Sequence, residues 1–123
     1  MTKPISCLFV DDNSHVYAPF LSRAFNGGHV ELTVVNSGQK AVILWNERRF
    51  DVTVMDYHMP EMNGDVVTQK ILEIYAFAWV IGFTSDADNT EIVQKCKASG
   101  MREVLPKDTA KVVAYINEKV AKR

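Results

Sequence analysis

The sequence predicts an α/β domain built on a parallel sheet with helices on both faces, and three observations carry that prediction. Short apolar runs rich in β-branched residues alternate with segments of helical periodicity, giving five strand–helix pairs in a chain of 123 residues. The inner runs lack polar alternation, as expected for strands covered on both sides. Their downstream ends carry acids, a threonine and a lysine, and in an open parallel sheet those ends form the ligand crevice. Alternating strands and helices of this length imply right-handed crossovers. A hydrophobic content of 47% at this length is one domain's worth of core, so residues 1–123 are read as a single unit.

Ile5-Ser6-Cys7-Leu8-Phe9-Val10 reads as a buried first strand that stops at Asp11-Asp12-Asn13-Ser14. Val16, Phe20, Leu21 and Ala24 then have helical spacing up to Phe25, with Pro19 inside, which predicts a distorted helix rather than a broken one. Asn26-Gly27-Gly28 ends it. Val30, Leu32 and Val34 alternate with polar residues, the pattern of an edge strand, and Ser37 is placed to cap a helix through Ala41, Val42, Leu44 and Trp45. Val52-Thr53-Val54-Met55-Asp56 is the third strand, stopped by Met59-Pro60-Glu61-Met62-Asn63-Gly64. Val66, Val67, Ile71, Leu72 and Ile74 form the next helical stripe, with Asp65 near its positive end.

Trp79 to Phe83 is the fourth strand, ending at Thr84-Ser85-Asp86, and Asn89 to Ala98 a short helix closed by Ser99-Gly100. Glu103-Val104-Leu105 is a brief fifth strand, and Pro106 beside it fits a sheet edge. Thr109 is placed to cap a last helix carrying Val112, Val113, Ile116 and Val120.

Composition excludes several function classes. Fourteen Lys+Arg against fifteen Asp+Glu leave a net charge of -1, so no global field recommends nucleic acid or an anionic membrane as partner. The longest apolar stretch, Ile74 to Phe83, is far shorter than the roughly 20 residues of a membrane span, and Met1-Thr2-Lys3-Pro4 lacks the apolar segment of a signal peptide. The cytoplasm is the expected compartment. Cys7 and Cys96 have no Cys or His partner at metal-ligand spacing and read as reduced packing residues; His15 and His58, near the crevice but likewise without such a partner, read as loop residues, and His29 beside the glycine pair reads as exposed.

Taken singly, Asp11-Asp12 would be a helix cap or turn, Thr84 a cap and Lys107 a solvated cation. Their common position at strand ends makes them a set, since the topology brings Asp11, Asp12, Asp56, Thr84 and Lys107 into one crevice. Three carboxylates together repel, and a hard divalent cation relieves that; Mg²⁺ suits carboxylates, a backbone oxygen and phosphate oxygens. One carboxylate can then attack phosphorus while a hydroxyl and an ammonium stabilise the equatorial oxygens. Asp56, Thr84 and Lys107 supply those three parts.

With these residues in place the chain resembles, over essentially its whole length, the response-regulator receiver domains of two-component phosphorelay signalling. The shared pattern is an acidic pair after the first strand, Asp56 followed by x-x-Met-Pro-x-Met-x-Gly, a Thr after the fourth strand and a Lys after the fifth. The resemblance implies a flavodoxin-like doubly wound (βα)5 fold with sheet order 2-1-3-4-5. It implies that Asp56 accepts a phosphoryl group from a sensor histidine kinase or phosphotransfer protein. Mg²⁺ would be held by Asp12, Asp56 and the His58 backbone carbonyl, with Asp11 acting mostly through an intervening water. Thr84 would be the hydroxyl that turns toward the phosphoryl group, and Lys107 would pair with it.

Output is expected by protein contact, to an effector or a second copy, through the fourth helix, fifth strand and fifth helix, with no external substrate turned over. Two positions depart from the family pattern: Val104 stands where a rotating aromatic is usual, and Asp108 follows Lys107 where a cis-proline is usual. Two other readings use overlapping residues. A pseudo-receiver would keep the fold without phosphorylation, and Val104 and Asp108 lean that way. A haloacid-dehalogenase-type phosphohydrolase would need its nucleophile on the first strand and a second Asp in place of His58. Acyl phosphates hydrolyse by in-line attack of water, which singles out His58 and Asp86, each two places beyond a site residue, as side chains able to meet at the crevice mouth.

Overall fold

The computed structural model describes residues 3–122; Met1, Thr2 and Arg123, which the sequence reading touched at either end, lie outside the described residues. The elements run β1 (Ile5–Val10), α1 (Ser14–Ala24), β2 (Val30–Val35), α2 (Gly38–Glu47), β3 (Val52–Asp56), α3 (Gly64–Ile74), β4 (Val80–Phe83), α4 (Thr90–Ser99), β5 (Glu103–Leu105) and α5 (Thr109–Tyr115), with a π-helical turn over Ile116–Val120. The five strands form one sheet in the order β2-β1-β3-β4-β5, every pair parallel. This is the order that the resemblance implied.

Successive residues of a strand point to opposite faces, and β1 shows what that does here. Leu8 and Val10 pack with Ala41 and Trp45 of α2, Val67 and Ile71 of α3 and Cys96 of α4. Cys7 and Phe9 pack on the other face with Leu21 of α1, Val112 of α5 and Ile116 of the π-helical turn. The two faces are therefore closed by different helices, and β1, β3 and β4 have no face left for water. That accounts for their unbroken apolar runs. Thr53, fully buried on β3, is satisfied because its hydroxyl accepts the Trp45 Nε1–H at 3.1 Å. Trp79 is half-buried, and its Nε1–H donates to the Tyr115 hydroxyl at 3.1 Å.

Local signals decide the element ends. The Ser37 hydroxyl accepts the Lys40 N–H, and the Asn89 side chain accepts the Ile92 N–H. Gly100, at φ +112°, closes α4 in the left-handed conformation, and its missing Cβ leaves room for Leu72. α1 begins at Ser14 and runs through Pro19 without a break, as the sequence reading expected, because His15, whose carbonyl loses a donor to the proline ring, is exposed. Two boundaries differ from that reading. β4 begins at Val80 rather than Trp79. α5 is capped by Asp108, whose carboxylate accepts the Ala110 and Lys111 N–H groups, with Thr109 already inside the helix.

Candidate phosphoryl-transfer site

The carboxyl ends of β1, β3, β4 and β5 meet where the sheet order reverses, since β1 connects outward to β2 and β3 continues the other way. Asp11 follows β1 directly and is fully buried; its N–H is held by the Val35 carbonyl, and its Oδ1 accepts the Asn13 N–H at 2.8 Å. Asp12 is half-buried beside it. Asp56 ends β3 and is 3% exposed. Carboxylate oxygens of these three residues lie within 4.8 Å of one another.

Gly64 is what allows the loop after β3 to fold back so tightly. Its N–H donates to the Tyr57 carbonyl at 2.8 Å, and a Cβ at this position would collide with the Asp56 carbonyl oxygen. Glu61 in the same loop takes φ 72°, a conformation that non-glycine residues rarely adopt.

Lys107, just past β5, reaches back across the crevice. Its Nζ donates to Asp11 Oδ2 at 2.5 Å and stands 3.2 Å from Asp56 Oδ1. The same ammonium lies 4.8 Å from the ring centroids of both Tyr17 and Phe83. The sequence reading brought Lys107 into the crevice without saying which acid it meets; its ammonium contacts Asp11 and Asp56, one positive charge against three acids. Tyr17 went unnoticed there, although its place one turn into α1, after the acidic pair, is where a side chain would cover the lysine stem.

Thr84 follows β4 and is fully buried, its N–H held by the Leu105 carbonyl and its hydroxyl accepting the Asp86 N–H at 3.1 Å. The His58 side chain turns outward from the loop after β3 and meets Asp86 through Nε2 and Oδ2. His15 is exposed on α1, and His29 is hydrogen-bonded to Asn117 at 3.0 Å.

The electrostatics follow from this packing. Burial, and then the charge of Asp11, push the Asp56 carboxyl up to about 7, against the opposing pull of Lys107. Burial alone would lower Lys107, but its contacts with Asp11 and Asp56 outweigh that and raise it, so it stays an ammonium. The site thus holds more negative charge than it can neutralise. Carboxylate oxygens at this spacing fit a hard divalent ion such as Mg²⁺, and no soft Cys or His ligand competes among them.

A cavity of about 620 Å³ opens elsewhere, at the amino ends of the strands, lined by Lys3, Ser6, Arg48, Arg49 and Asp51 among others, and none of the crevice residues lines it.

Residues 7–116 match the model of the response regulator receiver domain family. The two-component response regulator ARR22 of Arabidopsis thaliana is 32% identical over 118 residues, covering 92% of this chain and 80% of that protein. The virulence sensor protein BvgS of Bordetella bronchiseptica is 34% identical over 81 residues, 60% of this chain, and the chain spans only 6% of that sensor's length. Among solved structures, the receiver domain of the sensor histidine kinase PA1611 from Pseudomonas aeruginosa PAO1, with a magnesium ion coordinated in its active-site cleft, superposes with a TM-score of 0.82 at 22% identity. That match covers 96% of this chain and 98% of that one.

Proposed function

The chain belongs to the response-regulator receiver family, and on that premise we propose that Asp56 is its phosphoacceptor, taking a phosphoryl group from a phosphohistidine of a sensor histidine kinase or phosphotransfer protein. Receiver domains work with such proteins in two-component signalling. The observation that carries the reading is the meeting of Asp56 with Asp11, Asp12 and Lys107 at the ends of three strands, with Thr84 directly after Phe83, the β4 residue paired with Asp56.

In the transfer an Asp56 carboxylate oxygen bonds to phosphorus while the phosphorus–nitrogen bond breaks, and the electron pair leaves with the imidazole. Lys107, held within reach of Asp56 by Asp11, supplies positive charge to the equatorial oxygens, and the Thr84 hydroxyl donates to one of them. Asp11, Asp12, Asp56 and the His58 backbone carbonyl would hold Mg²⁺. When bound, the ion neutralises the acids, favours ionised Asp56 and screens the incoming phosphoryl oxygens.

Output runs through contact with another protein at α4, β5 and α5, whether a partner, an effector or a second copy. That face is polar, with Glu91, Lys95, Lys97 and Lys111 exposed and Val104 half-buried on β5, and it carries none of the large exposed apolar side chains among the described residues. Charge pattern therefore selects what binds there. Chemical-shift changes on phosphorylation are expected on this face; changes confined to the opposite face contradict the assignment.

Incubation with acetyl phosphate and Mg²⁺ followed by intact-mass measurement tests the acceptor. One added phosphoryl group is expected, absent without Mg²⁺ and absent in Asp56→Asn. An unchanged gain in the Asn variant moves the acceptor elsewhere, and no gain in the wild type favours the pseudo-receiver. Turnover of free phosphate esters would favour the phosphohydrolase.

A further inference from the structure

Two cavities adjoin at the amino ends of the strands, with Arg49 and Asp51 in the walls of both. The first, about 620 Å³, is lined by Lys3, Arg48 and Arg49, and none of these three forms an ion pair with a carboxylate among the described residues. The second, about 250 Å³, is aromatic, lined by Phe50, Tyr75, Phe77 and Trp79. The first already has the size of a small-molecule site, and the second extends it.

The backbone sets this arrangement up. Arg48 leaves α2 in an extended conformation, φ −159° and ψ 164°, and consecutive side chains of an extended segment diverge. Arg48 accordingly lies over Phe50 and donates to the Thr33 hydroxyl at 2.9 Å, while Arg49 lies over Tyr75. A guanidinium lying on a ring keeps edge N–H groups for an anion, and the ring holds it in place beforehand, which lowers the entropy cost of binding. Two acids also line the first cavity. Asp51 is engaged with Ser6, and exposed Glu31 is an acceptor suited to sugar hydroxyls. In the second cavity Arg49 and Arg102 cover faces of Tyr75 and Trp79, whereas Phe77, between α3 and β4, is 75% exposed and is the ring most open to a ligand.

We propose that these adjoining cavities bind a nucleoside polyphosphate, its phosphates on Lys3, Arg48 and Arg49 and its base against Phe77. The ligand must carry an anion and a flat ring side by side because the cationic and aromatic cavities share a wall. A polyphosphate alone would use only the first, and an uncharged nucleoside only the second. Binding is reversible and independent of whether Asp56 is the phosphoacceptor.

Calorimetric titration with ATP tests this in the presence of chelator, which prevents Mg²⁺ from bridging the phosphates to the crevice acids. Saturable binding with a dissociation constant below about 1 mM is expected, with adenosine and tripolyphosphate both weaker than ATP. Arg48→Gln and Arg49→Gln should each weaken ATP and tripolyphosphate roughly five- to tenfold, less than a buried charge-assisted hydrogen bond would, because the site is open to salt. Phe77→Ser, which replaces an exposed side chain, should weaken ATP roughly five- to tenfold, the low end for base–aromatic stacking, and leave tripolyphosphate unchanged. Asp56→Asn should bind ATP as the wild type does. Amide shift changes on ATP addition are expected at Ser6, Arg49 and Phe77. The proposal is overturned if ATP fails to saturate by about 1 mM, if either arginine variant binds ATP unchanged, or if Phe77→Ser weakens both probes alike. Shift changes centred on Asp11 and Asp56, or equal displacement of ATP by a glutamate-rich peptide, would overturn it as well.

Discussion

At the amino ends of the strands, polar groups are matched to partners. The Asp51 carboxylate accepts both the backbone N–H of Ser6 at 2.8 Å and its hydroxyl at 3.2 Å. Arg48, Arg49 and Arg102 lie over the rings of Phe50, Tyr75 and Trp79, with the guanidinium carbons 4.4, 4.0 and 4.3 Å from the centroids. At the carboxyl ends of the same strands, three acids share one ammonium, and the central acid is pushed up to about 7 by burial and by Asp11. A cavity of about 620 Å³ opens at the first end, and the proposed phosphoacceptor stands at the second. The candidate site is marked by charge left unneutralised on rigid strand ends rather than by open volume, as expected where a site trades stability for a ligand.

The largest effect that would sharpen this contrast is steric. Gly64→Ala puts a methyl group against the Asp56 carbonyl oxygen, so the loop after β3 must move. A loss of roughly 3 kcal/mol or more in denaturant unfolding is expected, together with loss of phosphorylation. Gly27→Ala, whose Cβ meets nothing nearer than His29 at 3.9 Å, should change stability by less than about 1 kcal/mol. Next in size is metal addition: Mg²⁺ at about 100 times its dissociation constant should stabilise the wild type by roughly 2.7 kcal/mol in thermal unfolding. Asp12→Ala should respond far less, and an equal response in both would put the ion elsewhere. The smallest effect belongs to the other end. Arg49→Ala should cost about 0.5–1 kcal/mol and leave phosphorylation unchanged, since it removes only a partly exposed contact with Tyr75.

Much of the architecture was legible because burial writes itself into strand composition. The unbroken Cys7-Leu8-Phe9-Val10 run and the alternating Val30-Leu32-Val34 distinguish a central strand from an edge one, and both fall as read. The strand ends then follow, and with them the meeting of Asp11, Asp12 and Asp56. The partner of each charge was not legible. Lys107 lies 96 positions from Asp11, and nothing local in the sequence says that an ammonium past β5 reaches that carboxylate. Tyr17 and Phe83 around the lysine were hidden for the same reason. The cap of α5 was misjudged because Asp108 and Thr109 are both good caps, and only backbone geometry chooses between them. The His58–Asp86 contact could be anticipated from loop positions, but not its bracing by Tyr57 and Thr84.

The contrast between the two ends is tested most directly by one substitution made at both. Asp56→Asn and Asp51→Asn should be compared in chelator-treated protein by denaturant unfolding across pH. Asp56 is raised from an ordinary 3.8 to about 7 on folding, so its ionisation opposes the folded state. The penalty is absent below about pH 4, grows through the interval and is complete above about pH 7. Asp56→Asn is therefore expected to be more stable than wild type by roughly 2–4 kcal/mol at pH 8, with the gain vanishing by about pH 4. Asp51→Asn, which weakens an acceptor of two hydrogen bonds, is expected to lose about 1–2 kcal/mol at pH 8. Opposite signs at the two ends are the expected result; a loss of stability in both variants at pH 8 would contradict the account.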